Sequence, residues 1–82
     1  MNNTGYIICS VMKDFYKLTL IKRASDKKLV YRFSIHHDLA KEFYAPEDEM
    51  LAVKSMGEHL INQVYMFEEF QREANRKEGD KS

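Results

Sequence analysis

Residues 47–74, EDEMLAVKSMGEHLINQVYMFEEFQREA, decide how the chain is read. Met50, Val53, Gly57, Leu60, Val64 and Phe67 recur there at three- and four-residue steps, and Met56 and Ile61 widen the stripe. Lys54, Glu58, Asn62, Glu69 and Arg72 fall on the other side, which is the period of an amphipathic helix. Pro46 suits a first helical position, where its missing N–H costs nothing. Glu47, Asp48 and Glu49 then set three carboxylates at the positive end of the helix dipole. One long helix over about 46–75 is the expectation. A helix with a single apolar stripe needs a surface to cover, and the preceding half of the chain must supply it.

That half is rich in β-branched and aromatic residues, in three runs separated by polar pairs. Strands are expected over about 6–12 (YIICSVM), 15–23 (FYKLTLIKR) and 28–36 (KLVYRFSIH). With two-residue turns at Lys13-Asp14 and Ser25-Asp26, Val11 faces Tyr16, Cys9 faces Leu18 and Ile7 faces Leu20. In the second hairpin Leu20 faces Tyr31, Leu18 faces Phe33 and Tyr16 faces Ile35. Both pairings put one apolar set, from Ile7, Cys9 and Val11 through to Phe33 and Ile35, on the same face. A slip of one residue would invert half of it. Residues 37–44 (HDLAKEFY) read as a short helical turn near 38–44, capped by Asp38, with Leu39 and Phe43 on one side. Residues 1–4 and the polar tail 75–82 are expected to be loose. The fold expected is α+β: a three-stranded antiparallel meander on one long C-terminal helix, a two-layer β-β-β-α domain spanning 1–82.

Composition sets limits. At 82 residues, 44% hydrophobic and 32% charged, the chain is ordinary for one small globular core. No apolar run reaches the roughly 20 residues that cross a bilayer. The N-terminus lacks the basic start and apolar stretch of a secretory signal, and Cys9 is the only cysteine, so a cytoplasmic setting is expected. The net charge of zero hides an asymmetry: residues 1–36 carry seven basic and two acidic side chains, residues 37–82 six and eleven.

No catalytic constellation emerges. His36-His37-Asp38 is the one local cluster of metal-ligand types, but adjacent strand residues point to opposite faces and no Cys or further His completes a set. His59 lies on the polar flank of the helix. Glu47/Asp48/Glu49 and Glu68/Glu69 fan out around a helix rather than converge. The serines lack a nucleophile signature, and Gly5, Gly57 and Gly79 cannot build a phosphate loop. No enzyme activity, metal, cofactor or small-molecule substrate is expected.

Surplus apolar surface carries the functional expectation. In these registers the outer sheet face presents Tyr6, Ile8, Ile21 and Val30, with Met12 and Phe15 as a second patch. On the helix, Met66 and Phe70 form a second ridge outside the main stripe. The expected function is a protein-binding module of adaptor or inhibitor type acting as a homodimer, a size and composition common among accessory proteins of phages and mobile elements. The alternative is nucleic-acid binding through Lys17 and Arg32 among the outer-face aromatics, with Arg23, Lys27 and Lys28 at one hairpin. The β-β-β-α order resembles the latter part of a double-stranded-RNA-binding domain. The chain departs from it where Glu47-Asp48-Glu49 replaces the basic start of the final helix, and the preceding helix is absent.

Overall fold

The structure, a computed structural model, describes the backbone over residues 5–80 and side chains over residues 5–76. Four strands, not three, form one antiparallel sheet in the order β1-β2-β3-β4: β1 (Tyr6–Lys13), β2 (Tyr16–Lys22), β3 (Leu29–Ile35) and β4 (Asp38–Tyr44). Two helices follow, α1 (Glu49–Lys54) and α2 (Met56–Asp80). The expected looseness of residues 1–4 lies outside the described residues, as do the side chains of most of the polar tail.

The segment expected to be a helical turn is β4. His36 and His37 both take positive φ, 53° and 72°, as the mirror-image two-residue hairpin turn requires. Histidine tolerates that region better than β-branched residues do. The turn folds β4 back on β3, where Phe43 sits opposite Tyr31 with ring centroids 5.4 Å apart and Glu42 sits opposite Arg32. Cross-strand pairs of this kind outweigh the weak helical spacing of Leu39 and Phe43. The fourth strand also ends the likeness to the β-β-β-α order.

The β2–β3 register is as expected, with Leu20 opposite Tyr31, Leu18 opposite Phe33 and Tyr16 opposite Ile35. Its turn is longer than two residues. Arg23 and Lys28 close it through Arg23 N–H to Lys28 O (2.8 Å), and Lys27 carries a φ of 60°. The β1–β2 turn is Asp14-Phe15, with Asp14 at φ 56°, so Val11 faces Leu18 and Cys9 faces Leu20. This moves the pairing by two residues and preserves the faces. A bulge at Ile8 then breaks the alternation. Ile7 turns outward opposite Ile21, and Ile8 packs against the core instead of lying on the outer face.

The single expected helix is two. Asp48, rather than Pro46, begins α1: its carboxylate accepts from the N–H groups of Met50 (3.0 Å) and Leu51 (3.3 Å). Ser55 ends α1, its hydroxyl donating back to Leu51 O at 2.6 Å. The buried Tyr31 hydroxyl donates to the carbonyl of Ala52, 2.5 Å away, one turn before α2 begins. A side chain inserted into the helical ladder, next to a Ser and a Gly, is a recognised cause of a helix break. The break rotates the buried stripe. Ala52, Met56, Leu60 and Val64 enter the core and Phe67 is half-buried, whereas Met50 and Val53, expected inside, are exposed.

The core lies between the layers. Tyr16, Leu18, Leu20, Leu29, Tyr31 and Phe33 from the sheet meet the helical stripe. Full burial of a side chain such as Leu18 or Leu20 contributes about 1.5–3 kcal/mol. Tyr16 reaches beyond this layer to hydrogen-bond Glu68 on α2 at 3.1 Å. Burial, with that carboxylate next in importance, raises the Tyr16 pKa, and burial alone raises that of Tyr31. Both helices cover the same face of the sheet. The other face stays open.

Candidate interaction surface

Alternation along the strands builds the open face. Ile7, Ser10 and Met12 come from β1, Lys17, Thr19 and Ile21 from β2. Val30, Arg32 and Ser34 follow from β3, and Leu39, Glu42 and Tyr44 from β4. Ile7 is 67% exposed, and Met12, Leu39 and Tyr44 are similarly open.

Ile21 and Val30, expected as exposed contacts, lie on this face but are buried at 3% and 1%. Val30 lines a small cleft with Arg23, Glu42 and Tyr44, and these side chains form a polar roof. The Arg23 guanidinium stands 5.4 Å from the centre of the Tyr44 ring. It forms a forked pair with Asp26 (3.1 and 2.6 Å) and approaches Glu42 at 3.6 Å. Arg32 holds the other Glu42 oxygen at 2.7 Å. Arg23 holds the Asp26 carboxyl down to a pKa of about 2, and Asp26 in turn raises that of Arg23. Arg23 and Arg32, two of the five cations in the nucleic-acid reading, are thus engaged within the chain. Lys27 and Lys28 flank a cleft that also contains Asp26, Glu47 and Glu49.

The aromatics of that reading are displaced as well. Phe15 is a turn residue stacked on His36, with centroids 4.2 Å apart and planes 3° from parallel. Tyr6 is exposed at the start of β1, beside the loop cleft lined by Lys22, Arg23 and Lys27. His36 and His37 are turn residues rather than strand residues, and His59 is half-buried with its ring 4.8 Å from that of Tyr31. Among the described residues no three His, Cys, Asp or Glu side chains group to hold a metal ion.

The second exposed surface belongs to α2. Met66 is 53% and Phe70 71% exposed, and both border a shallow groove of about 220 Å³ between α2 and β4, floored by Phe33 and Phe67. Ile61, expected in the buried stripe, is 51% exposed and forms with Tyr65, one turn on, a neighbouring ridge that sequence reasoning did not assemble. Their four-residue spacing was the signal. Of the eight expected contact residues, Tyr6, Met12, Phe15, Met66 and Phe70 are exposed, while Ile8, Ile21 and Val30 are not. Together the sheet face and the helix present an exposed hydrophobic and aromatic patch of the kind that serves protein interaction.

No protein-family model, curated protein or solved structure matches the chain. No helix among the described residues is long and apolar enough to cross a membrane.

Proposed function

We propose that the chain is a protein-binding module of adaptor or inhibitor type, without catalysis, that self-associates through α2 and leaves its open sheet face for a foreign partner. The supporting observation is the placement of both helices on one side of a four-stranded sheet, with Ile7, Met12 and Leu39 exposed on the other. A helix carrying Ile61, Tyr65, Met66 and Phe70 outside its buried stripe has a second surface to cover. Both edge strands carry a bulge, at Ile8 and at Ala40, which blunts edge-to-edge pairing and leaves the faces as the contact surfaces.

Light scattering after size-exclusion chromatography tests this reading. A mass twice 9.7 kDa is expected at low and at high salt, falling to a monomer in Met66→Asp with its circular dichroism retained. A monomer at every concentration would remove the self-association, and a dimer indifferent to Met66→Asp would place it elsewhere. Ultraviolet absorbance of nucleic acid co-eluting at low salt and lost at high salt would favour the alternative through Lys17, Lys27 and Lys28.

A further inference from the structure

At the centre of the open sheet face the surface sinks into a shallow cleft of about 230 Å³. Lys17 and Arg32 border it from the two central strands. Lys17 pairs with Ser34 across the β2–β3 ladder, so Lys17 and Arg32 are diagonal neighbours, with Cβ atoms about 7 Å apart. The Thr19 and Ser34 side chains lie between them, and the His37 ring stands at the rim. Ile7 and Leu39 form apolar shoulders on opposite sides. The charge in the cleft is unbalanced. Glu42 is shared between Arg23 and Arg32, while Lys17 is half-buried on a central strand and forms no ion pair among the described residues.

We propose that this cleft binds an acidic segment of a partner protein, in which a carboxylate flanked by apolar side chains meets Lys17, beside the Arg32 held by Glu42, while the flanks rest on Ile7 and Leu39. The inference rests on the protein-binding reading above and names the chemistry of the partner. Charge complementarity selects the occupant. A second copy packed face to face would set Lys17 and Arg32 against their own counterparts at the two-fold axis, a like-charge contact. Nucleic acid fits less well, because the cleft has no Phe, Tyr or Trp on which a base could stack and offers few cations for phosphate. Hydroxyls and a ring N–H around two cations suit a carboxylate, and exposed aliphatic walls suit the residues beside it.

Selection of phage-displayed random peptides, about a dozen residues long, on the purified full-length chain tests the inference. The selected sequences should pair Glu or Asp with neighbouring Leu, Ile, Val or Phe. A synthetic peptide of that consensus should lose about tenfold in affinity in Lys17→Glu and less in Lys17→Met. Lys27→Glu and Met66→Asp should bind it as the parent does. Amide NMR spectra of each variant establish that the fold is kept. Failure to select any peptide, a consensus without acidic residues, or full affinity in Lys17→Glu would overturn the inference. So would displacement of the peptide by single-stranded DNA at lower concentration than by unlabelled peptide. Peptides that bind and respond only to Met66→Asp would remove the acidic-segment proposal while leaving the protein-binding function standing. Loss of both responses together with a monomeric mass would remove both.

Discussion

Two glycines illustrate how single positions carry opposite constraints. Gly5 precedes β1 at φ +100°, and a Cβ built on it would lie 1.8 Å from the carbonyl oxygen of Lys22. Only glycine allows the backbone to approach so closely. Gly57 lies in the first turn of α2, and a Cβ there meets nothing within 4 Å. Gly5→Ala is therefore expected to destabilise the fold by about 1–3 kcal/mol, and Gly57→Ala to stabilise it by up to about 1 kcal/mol. Urea unfolding of the two variants beside the parent chain measures both, and a Gly5→Ala midpoint equal to the parent's would refute the close approach. Neither role was legible in the sequence, where glycines without motif context carry no sign of their φ. The engagement of Arg23 by Asp26 was equally hidden, although their three-residue separation in a turn allows it.

Among the elements, the sheet's central hairpin was the most legible. Leu18, Leu20, Tyr31 and Phe33 alternate so strictly that only one register buries them all. Residues 38–44 were misread because Leu39 and Phe43, four apart, mimic helical spacing. In β4 a bulge at Ala40 lets those same two residues point to opposite faces of a strand. The turn before β4 lacked the Asn-Gly chemistry that would have announced it. The break between α1 and α2 was out of reach for a different reason. It depends on the Tyr31 hydroxyl meeting the Ala52 carbonyl, a contact between residues 21 positions apart. Tyr31→Phe leaves that carbonyl without its side-chain donor and should cost about 1–3 kcal/mol. Equilibrium denaturation gives the value; an unchanged stability would mean that Ser55 and Gly57 alone set the break.

For the molecule as a whole, the two-layer arrangement followed from amphipathicity: a sheet with one apolar face and a helix with one apolar stripe must pair. Which residues of the outer face stay exposed did not follow, because the roof over Val30 of β3 joins Arg23 at the end of β2 to Glu42 and Tyr44 of β4. The charge asymmetry between the halves of the chain resolves in part into Arg23–Glu42 and Arg32–Glu42, pairs that cross the boundary at residue 36. Lys17 is left over on the open face, and the apolar ridge of α2 on the other side of the molecule. On the function proposed above, these are the module's two separate contact surfaces. Methionine footprinting by hydroxyl radicals, read by mass spectrometry on the purified chain, reports on both at once. Met12 marks the sheet face, Met66 the ridge of α2, and Met56, 1% exposed in the core, the intact fold. Met56 should stay protected throughout, Met12 should react readily, and Met66 should be slow at high protein concentration and faster on dilution. Met66 reacting as readily as Met12 at every concentration would contradict the claim that a second copy covers the helix.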